Sequence, residues 1–443
     1  MADRNKMQKI IASMLLALVG LTGCIPPSAD QSVVTIEPSN ETVPAPVIAP
    51  GQVLISPSKV PTPSPTITPA PNPIIITGNT TVNVSHVLPG DNIPLGIHDS
   101  FSTGASTVDL LVKGDEIWAA TSEGVVRYDS EKGTIKKYTV ADGLGNNAVL
   151  KLALDSKGNI WAACRVSGVS CFNGTNWRNY NVADGLISND VITLAADKIG
   201  GVWVSAYWGV SYFNGSNWTA YTSVKQDAPM AGGGGGNPNN PNTIYVEGVS
   251  LDAADVIFID KAGNVWFSSR VAGVARFDGK SWELFAPGGG VSAVNEDRDG
   301  NLWFGTNRGG VSKFDGSKLQ NFVISEYQTI IPRPFIGDIE QDKNGNIWVI
   351  AYGGGAALYD GRSWQVFTAK DGLTSSNGQS MFFDSEGIPC VITDNGICSF
   401  NGTVWRTLTS KDGIPSGQIR TVTKDNFGHI WLGSVEGSVQ RMP

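Results

Sequence analysis

The sequence predicts an all-β chain folded as a single β-propeller, and three observations carry that prediction. Glycine takes 53 of 443 positions, while charged residues make up only 16%; globular averages are about 7% and about 25%. Such a composition excludes a helical bundle, and 41% apolar residues with 13 tryptophans exclude a disordered chain. The second observation is a recurring phrase: an acidic residue, two spacers, Gly-Asn, an aliphatic residue and Trp. It reads Asp155-Ser-Lys-Gly-Asn-Ile-Trp161, Asp260-Lys-Ala-Gly-Asn-Val-Trp266, Asp297-Arg-Asp-Gly-Asn-Leu-Trp303 and Asp342-Lys-Asn-Gly-Asn-Ile-Trp348, with looser copies ending at Trp118, Trp203, Cys390 and Trp431. The third is the spacing of these eight anchors, 43, 42, 63, 37, 45, 42 and 41 residues, which is the length of one propeller blade, about 40–45 residues.

The chain begins with a targeting segment over residues 1–23. Arg4, Lys6 and Lys9 precede an apolar run from Ile10 to Leu21, too short for the roughly 20 residues that span a bilayer but suited to a signal peptide. The run ends in Leu21-Thr-Gly-Cys24. These residues resemble the bacterial lipobox, and the resemblance implies cleavage before Cys24 and its lipidation. Residues 24–95 form a linker, with the Pro-rich stretch Pro61–Pro73 at its centre. Proline fixes φ and lacks an N–H, so this stretch is expected to be extended and unpacked, a disordered stalk.

Residues 96–443 hold the repeats. About seven residues after each anchor comes Gly-Val or a variant, then an apolar strand ending in Asn-Gly or Asp-Gly, as in Gly168-Val-Ser-Cys-Phe-Asn-Gly174. A further aromatic strand follows, as in Trp177-Arg-Asn-Tyr180. Short alternating strands between Gly-containing turns are antiparallel neighbours, and Asn-Gly is expected to supply the φ > 0 pair of a tight hairpin. Each unit thus has four strands, A to D from the axis outward, and stacking such sheets radially gives the propeller. The last repeat stops after strand C, whereas His98-Asp-Ser-Phe101 precedes the first strand A with an aromatic residue in D-strand register. A strand near Phe101 is therefore expected to close the ring. Eight blades follow, or seven if one repeat is misread.

These units resemble the two-component regulator propeller repeat, and the Asp-Gly-Leu phrases at Asp142, Asp184 and Asp371, with Asp412-Gly-Ile, belong to the same pattern. The resemblance implies a sensor-like module of the kind found in the exported half of hybrid histidine kinases. This chain ends at Pro443 with no kinase segment, so signalling is expected to need a separate partner.

Function is expected where side chains exceed what the repeat requires. The A–B and C–D turns are uniform, whereas the B–C tips vary and carry Arg165, Tyr207, Trp208, Arg270, Arg308 and Tyr352, with Arg333 in a longer connection on the same face. Guanidinium forks and aromatic faces suit an anion, a sugar or a peptide. Trp208, the one tryptophan outside the repeat scheme, is expected to be exposed there. The long 63-residue spacing places an insertion at 223–247, containing Ala231-Gly-Gly-Gly-Gly-Gly236; it is read as a tolerated loop or a lid over the mouth. No Gly-Lys-Ser/Thr follows, so it is no phosphate loop.

No cofactor or metal set is evident. Asp297-Arg-Asp-Gly300 imitates the start of a calcium loop, but Thr306 stands where the loop needs Glu. Beyond Cys24, four cysteines remain, and an exported location permits bridges Cys164–Cys171 and Cys390–Cys398; the repeat register makes each pair diagonal, and the spacing leaves bridging open. Lys+Arg 32 against Asp+Glu 40 gives a net charge of -8 with no basic arm, which excludes a nucleic-acid partner. The functional expectation is a lipid-anchored propeller of the bacterial envelope, on its periplasmic or extracellular face, binding an extracytoplasmic small molecule or oligosaccharide. Its alternatives are a scaffold for envelope proteins and, less favoured, a propeller lyase or hydrolase; no catalytic constellation is recognised.

Overall fold

The computed structural model describes residues 82–83, 100–223, 242–269, 273–308, 310–323, 335–409, 412–415 and 417–442, all within one compact unit, Pro69–Pro443. Cys24, the stalk and the glycine tract of the insertion lie outside the described residues.

The described residues form eight sheets with four antiparallel strands each, consecutive in the chain in seven of them, and two sheets are extended by a fifth strand. In blade 3 strands A to D are Val191–Ala196, Val202–Ala206, Gly209–Phe213 and Trp218–Thr222. The eighth sheet is built from both ends of the propeller. Its A, B and C strands are Ile419–Lys424, Ile430–Ser434 and Ser438–Met442, and Ser100–Ser102 supplies D, with Phe101 opposite Val439. Eight blades and closure at Phe101 are thus both realised.

Each sheet is apolar on both faces, because each is sandwiched between two neighbours. Eight buried clusters result, one per blade junction. Phe101, Tyr128 and Trp431 join blades 8 and 1, and Trp161, Leu186, Leu194 and Trp218 join blades 2 and 3. At six of the eight junctions, those between blades 4 and 5 and between blades 7 and 8 excepted, the A strands of neighbouring blades pack together around the axis.

Two local details differ from expectation. The C–D turns are four-residue loops in which only the glycine has positive φ, as at Gly174 (95°). Asn173 keeps ordinary φ because its Oδ1 accepts the N–H groups of Thr175 (3.0 Å) and Asn176 (2.9 Å), so the side chain rather than a primed turn holds the loop. The end of the insertion, Thr243–Tyr245, pairs in parallel with strand D of blade 3. Val82–Asn83 likewise lies antiparallel to strand D of blade 1, Thr134–Tyr138.

Neither cysteine bridge forms, and the four thiols are free. Cys164 packs in the cluster between blades 1 and 2, whereas Cys171 packs against the one between blades 2 and 3. Cys390 and Cys398 are divided in the same way, between the clusters on either side of blade 7. Each pair points to opposite faces of its sheet, where no disulfide can reach.

Candidate functional site at the mouth of the propeller

One face of the ring holds the A–B and C–D turns, the other the B–C tips and D–A connections. On the first face the repeated phrase acts as a clamp. Asp155 Oδ2 accepts the indole N–H of Trp161 (2.9 Å) and Asn159 Nδ2 (2.8 Å), while Oδ1 accepts the backbone N–H groups of Lys157 and Asn159. Asp260, Asp297, Asp342 and Asp425 hold Trp266, Trp303, Trp348 and Trp431 in the same way. Burial pushes the Asp155, Asp297 and Asp425 carboxyls up, but these donors outweigh it and leave them below the usual range. The Asp297 carboxylate is thus committed to Trp303, Asn301 and the backbone N–H of Asp299, which explains the calcium-like spelling without a metal.

Blade 3 departs from this rule. Gly201 replaces the clamp asparagine, and Asp197 Oδ2 accepts the Tyr212 hydroxyl at 3.1 Å. Nothing among the described residues accepts the Trp203 N–H. The signal was present in the sequence, as Asp197-Lys-Ile-Gly-Gly-Val-Trp203 with Tyr212 in strand C, but it reads as a loose copy until the clamp is seen.

On the mouth face, the Asp-Gly phrases form capped turns. The side chain of Asp142 accepts the Thr139 N–H at 2.8 Å, Gly143 takes φ 104°, and Leu144 is buried. Asp184 and Asp371 repeat this arrangement. These aspartates build turns, as their recurrence suggested.

The predicted mouth residues divide by blade. Arg165 on blade 2 and Arg308 on blade 5 are exposed, and neither forms an ion pair among the described residues. Tyr207 on blade 3 and Tyr352 on blade 6 are about half exposed, 48% and 52%. Arg270 and Arg333 lie outside the described residues. Trp208 is not fully exposed as expected: it is half-buried against the cluster between blades 2 and 3, with its indole N–H sealed from water and unpaired. Its backbone has φ 83°. Asp252 Oδ1 accepts its N–H at 2.8 Å and Thr222 Oγ1 donates to its carbonyl at 2.6 Å. Sequence reasoning missed Asp252 because it belongs to the connection into blade 4.

Backbone strain gathers in this sector. The non-glycine residues with positive φ among the described residues are Val166 (51°), Trp208 (83°) and Ala253 (51°). Val166 and Trp208 sit on the B–C tips of blades 2 and 3, and Ala253 follows Asp252 and donates its N–H to the Ala206 carbonyl. For a β-branched or bulky side chain such a conformation costs of order 1–3 kcal/mol.

The inner strands carry a second polar set. Asp109 Oδ1 accepts Lys151 Nζ (2.8 Å) and its Oδ2 the Leu152 N–H (2.9 Å), stitching blade 1 to blade 2. Asp338 stitches blade 6 to blade 7 through Ser380 Oγ and the Met381 N–H. Two residues along that strand, burial first and the Asp338 charge second push Glu340 up to about 7.

Eight four-stranded blades closed by a strand from the far end define this molecule as a repeat β-propeller. Residues 286–308 match the family model described as two component regulator propeller. No curated protein matches the chain. Among solved structures, the computationally designed Ika8 protein is 13% identical over 77% of this chain and 97% of its own, with a TM-score of 0.54, a likeness of fold. The extracellular domain of the hybrid two component system BT3049 from B. thetaiotaomicron is 19% identical, with a TM-score of 0.44 over 75% of this chain; this chain spans about half, 51%, of that one. Virginiamycin B lyase from Staphylococcus aureus, in a catalytically inactive form with quinupristin, is 14% identical over 66% of this chain and 92% of its own, with a TM-score of 0.45.

Proposed function

We propose that this protein is a sensor-like binding module of the bacterial envelope, anchored through lipidated Cys24. Its mouth recognises an extracytoplasmic ligand, an oligosaccharide being the first candidate, and it passes occupancy to a separate partner protein. The observation that carries this reading is the strained sector of blades 2 to 4. Positive φ at Val166, Trp208 and Ala253 is held in place beside Arg165 and Tyr207, whose side chains are exposed. Strain maintained by Asp252 and Thr222 contributes nothing to a repeat that glycine would satisfy, so it supports a role in positioning side chains for binding. Tyr207 offers a stacking face and Arg165 a donor fork, a combination suited to sugars and to anionic groups. The regulator propeller repeat supports a sensor role over an enzymatic one. His429 sits in an A–B turn and bonds Asp425 at 3.1 Å, away from the mouth, which weighs against lyase chemistry.

A screen of thermal stability against oligosaccharides and peptides tests this reading. A ligand that raises the melting temperature is expected to lose that effect in Tyr207→Ala and in Arg165→Ala, both substitutions at exposed positions that leave the fold intact. Shifts that persist in both variants overturn the mouth assignment. Stable binding of a folded envelope protein, with no hit among oligosaccharides or peptides, favours the scaffold reading, for which the exposed Val166 and Phe335 on the same face speak. Cys24→Ser is expected to release the protein from the membrane fraction.

A further inference from the structure

The departure of blade 3 from the clamp leaves a space on the face opposite the mouth. In blades 1, 4, 5 and 8 the strand C residue paired with the anchor tryptophan is Arg127, Arg276, Lys313 or Arg441, whose cation lies 5.5–5.9 Å from the indole ring. In blade 3 this position is Tyr212, which packs on Trp203 with ring centroids 4.5 Å apart. The phenol passes over Gly201, where a Cβ would come within 2.2 Å of its oxygen. Gly201 and Tyr212 therefore act as a pair: the missing side chain of one admits the hydroxyl of the other, which captures Asp197 and releases the indole N–H. Burial, then the charge of Asp197, push the Tyr212 phenol up to about 12, so its proton stays in place and stays committed.

Beside this group, between blades 3 and 4, is a cavity of about 430 Å³ lined by Trp203, Tyr212, Tyr221, Ile259, Val265 and Phe277, with Asp197 and Lys198 also contributing. The volume lies in the range of small-molecule sites, about 300–1,000 Å³. Its polar inventory is short. Asp197 already accepts the Ile199 and Gly201 N–H groups and the Tyr212 hydroxyl, and the exposed Lys198 reaches toward the Lys261 carbonyl of blade 4 at 3.5 Å. Three donors stay open: the Trp203 N–H, the Tyr221 hydroxyl, which has no hydrogen-bond partner among the described residues, and the remaining protons of the exposed Lys198 ammonium at the cavity's edge. A sugar, with a hydroxyl on nearly every carbon, would strand most of its polar groups here. A flat apolar ring with one acceptor would strand none.

We propose that this cavity binds a small, neutral, planar aromatic molecule bearing one hydrogen-bond acceptor, which takes the Trp203 N–H while its ring lodges among the apolar side chains of blades 3 and 4. The site is distinct from the mouth and lies on the face that the uniform turns mark as structural. It gives the propeller a second ligand class, read through a single indole.

Coumarin, neutral and flat with a carbonyl acceptor, is the probe. In ¹⁵N-labelled protein, the indole N–H resonance that disappears in Trp203→Phe is expected to shift saturably as coumarin is added. Trp203→Phe keeps an aromatic ring, though a smaller one, and removes the donor, and is expected to weaken coumarin binding by at least about 3- to 10-fold, the worth of one neutral hydrogen bond. Ile259→Phe narrows the cavity from blade 4 and is expected to abolish binding; it leaves Trp203 in place and carries the test should Trp203→Phe not fold. Tyr207→Ala at the mouth is expected to leave coumarin binding unchanged. Absence of saturable binding, or binding undiminished by Ile259→Phe, overturns the site. Equal binding of cyclohexanone or of methyl α-glucoside overturns the ligand class.

Discussion

At the scale of the residue, the repeated phrase is a hydrogen-bonding device. Its aspartate is separated from the tryptophan it holds by six positions, and the glycine between them only lets the chain turn back. Asp297→Ala removes the acceptor of the Trp303 N–H (2.9 Å) and of the Asn301 N–H (2.8 Å). Leaving a buried donor unpaired costs about 1–3 kcal/mol, so urea unfolding at neutral pH is expected to show a loss of that size. The pH dependence has a definite sign. Donors hold the folded Asp297 carboxyl below its usual value, so its contribution is present at neutral pH and is lost as the pH falls through the folded value. The variant is therefore expected to lose less stability than the parent on acidification below about pH 4. The phrase and its turn were legible in the sequence, as was the turn-forming role of Asp142, Asp184 and Asp371. The bond from indole to aspartate was not, because the phrase spells the turn and not which side chain the indole meets. Nor was the half-burial of Trp208, because Asp252, which fixes its backbone, stands 44 residues away in the connection to the next blade.

At the scale of the element, strand order and register follow from the repeat, but what one blade does to the next does not. The alternation within strands told that Cys164 and Cys171 were diagonal; only the packing of blade 2 between two neighbours shows that they face different clusters. The same limit applied to the inner strands. Asp338 and Glu340 stand two apart in Phe335–Gln341, hence on one face of it. Nothing in blade 6 alone indicates that Ser380 and Met381 of blade 7 and Asn295 of blade 5 would enclose them. Burial, with the Asp338 charge adding to it, carries Glu340 from 4.5 to about 7. The folded chain then holds a proton there between about pH 4.5 and 7 that the unfolded chain releases, so stability falls as pH rises through that window. Glu340→Gln keeps an oxygen to accept from Asn295 and cannot ionise. It is expected to match the parent at pH 4.5 and to exceed it by about 1–2 kcal/mol at pH 8, measured by urea unfolding at both pH values; equal slopes would show that Glu340 titrates normally.

At the scale of the whole molecule, a ring of sheets has no ends, and this one is made endless by three residues. Ser100–Ser102 completes the eighth sheet against Ser438–Met442. Phe101 is 6% exposed and stacks on Tyr128 of blade 1, centroids 4.6 Å apart and planes 22° from parallel, while also meeting Trp431 of blade 8 at 6.4 Å. This closure was legible because blade 8 lacked a fourth strand and the segment before blade 1 had a spare one, so the count could be satisfied in one way. Phe101→Ala removes a ring that serves the last blade and the first at once. Cutting a buried phenylalanine to alanine costs about 3–5 kcal/mol, and at this position the loss falls on the contact that joins the two ends. Local strands elsewhere are tied to neighbours in sequence and re-form readily, whereas this one must return from the far end of the domain, against a loop-closure entropy that grows with length. The variant is therefore expected to unfold at lower urea and to associate at concentrations where the parent does not, since freeing strand C of blade 8 leaves an unpaired sheet edge. Urea unfolding with size-exclusion chromatography reads both effects. A stability loss confined to the first effect, with the protein still monomeric, would mean that the hydrogen bonds of Ser100–Ser102 close the ring without the aromatic anchor.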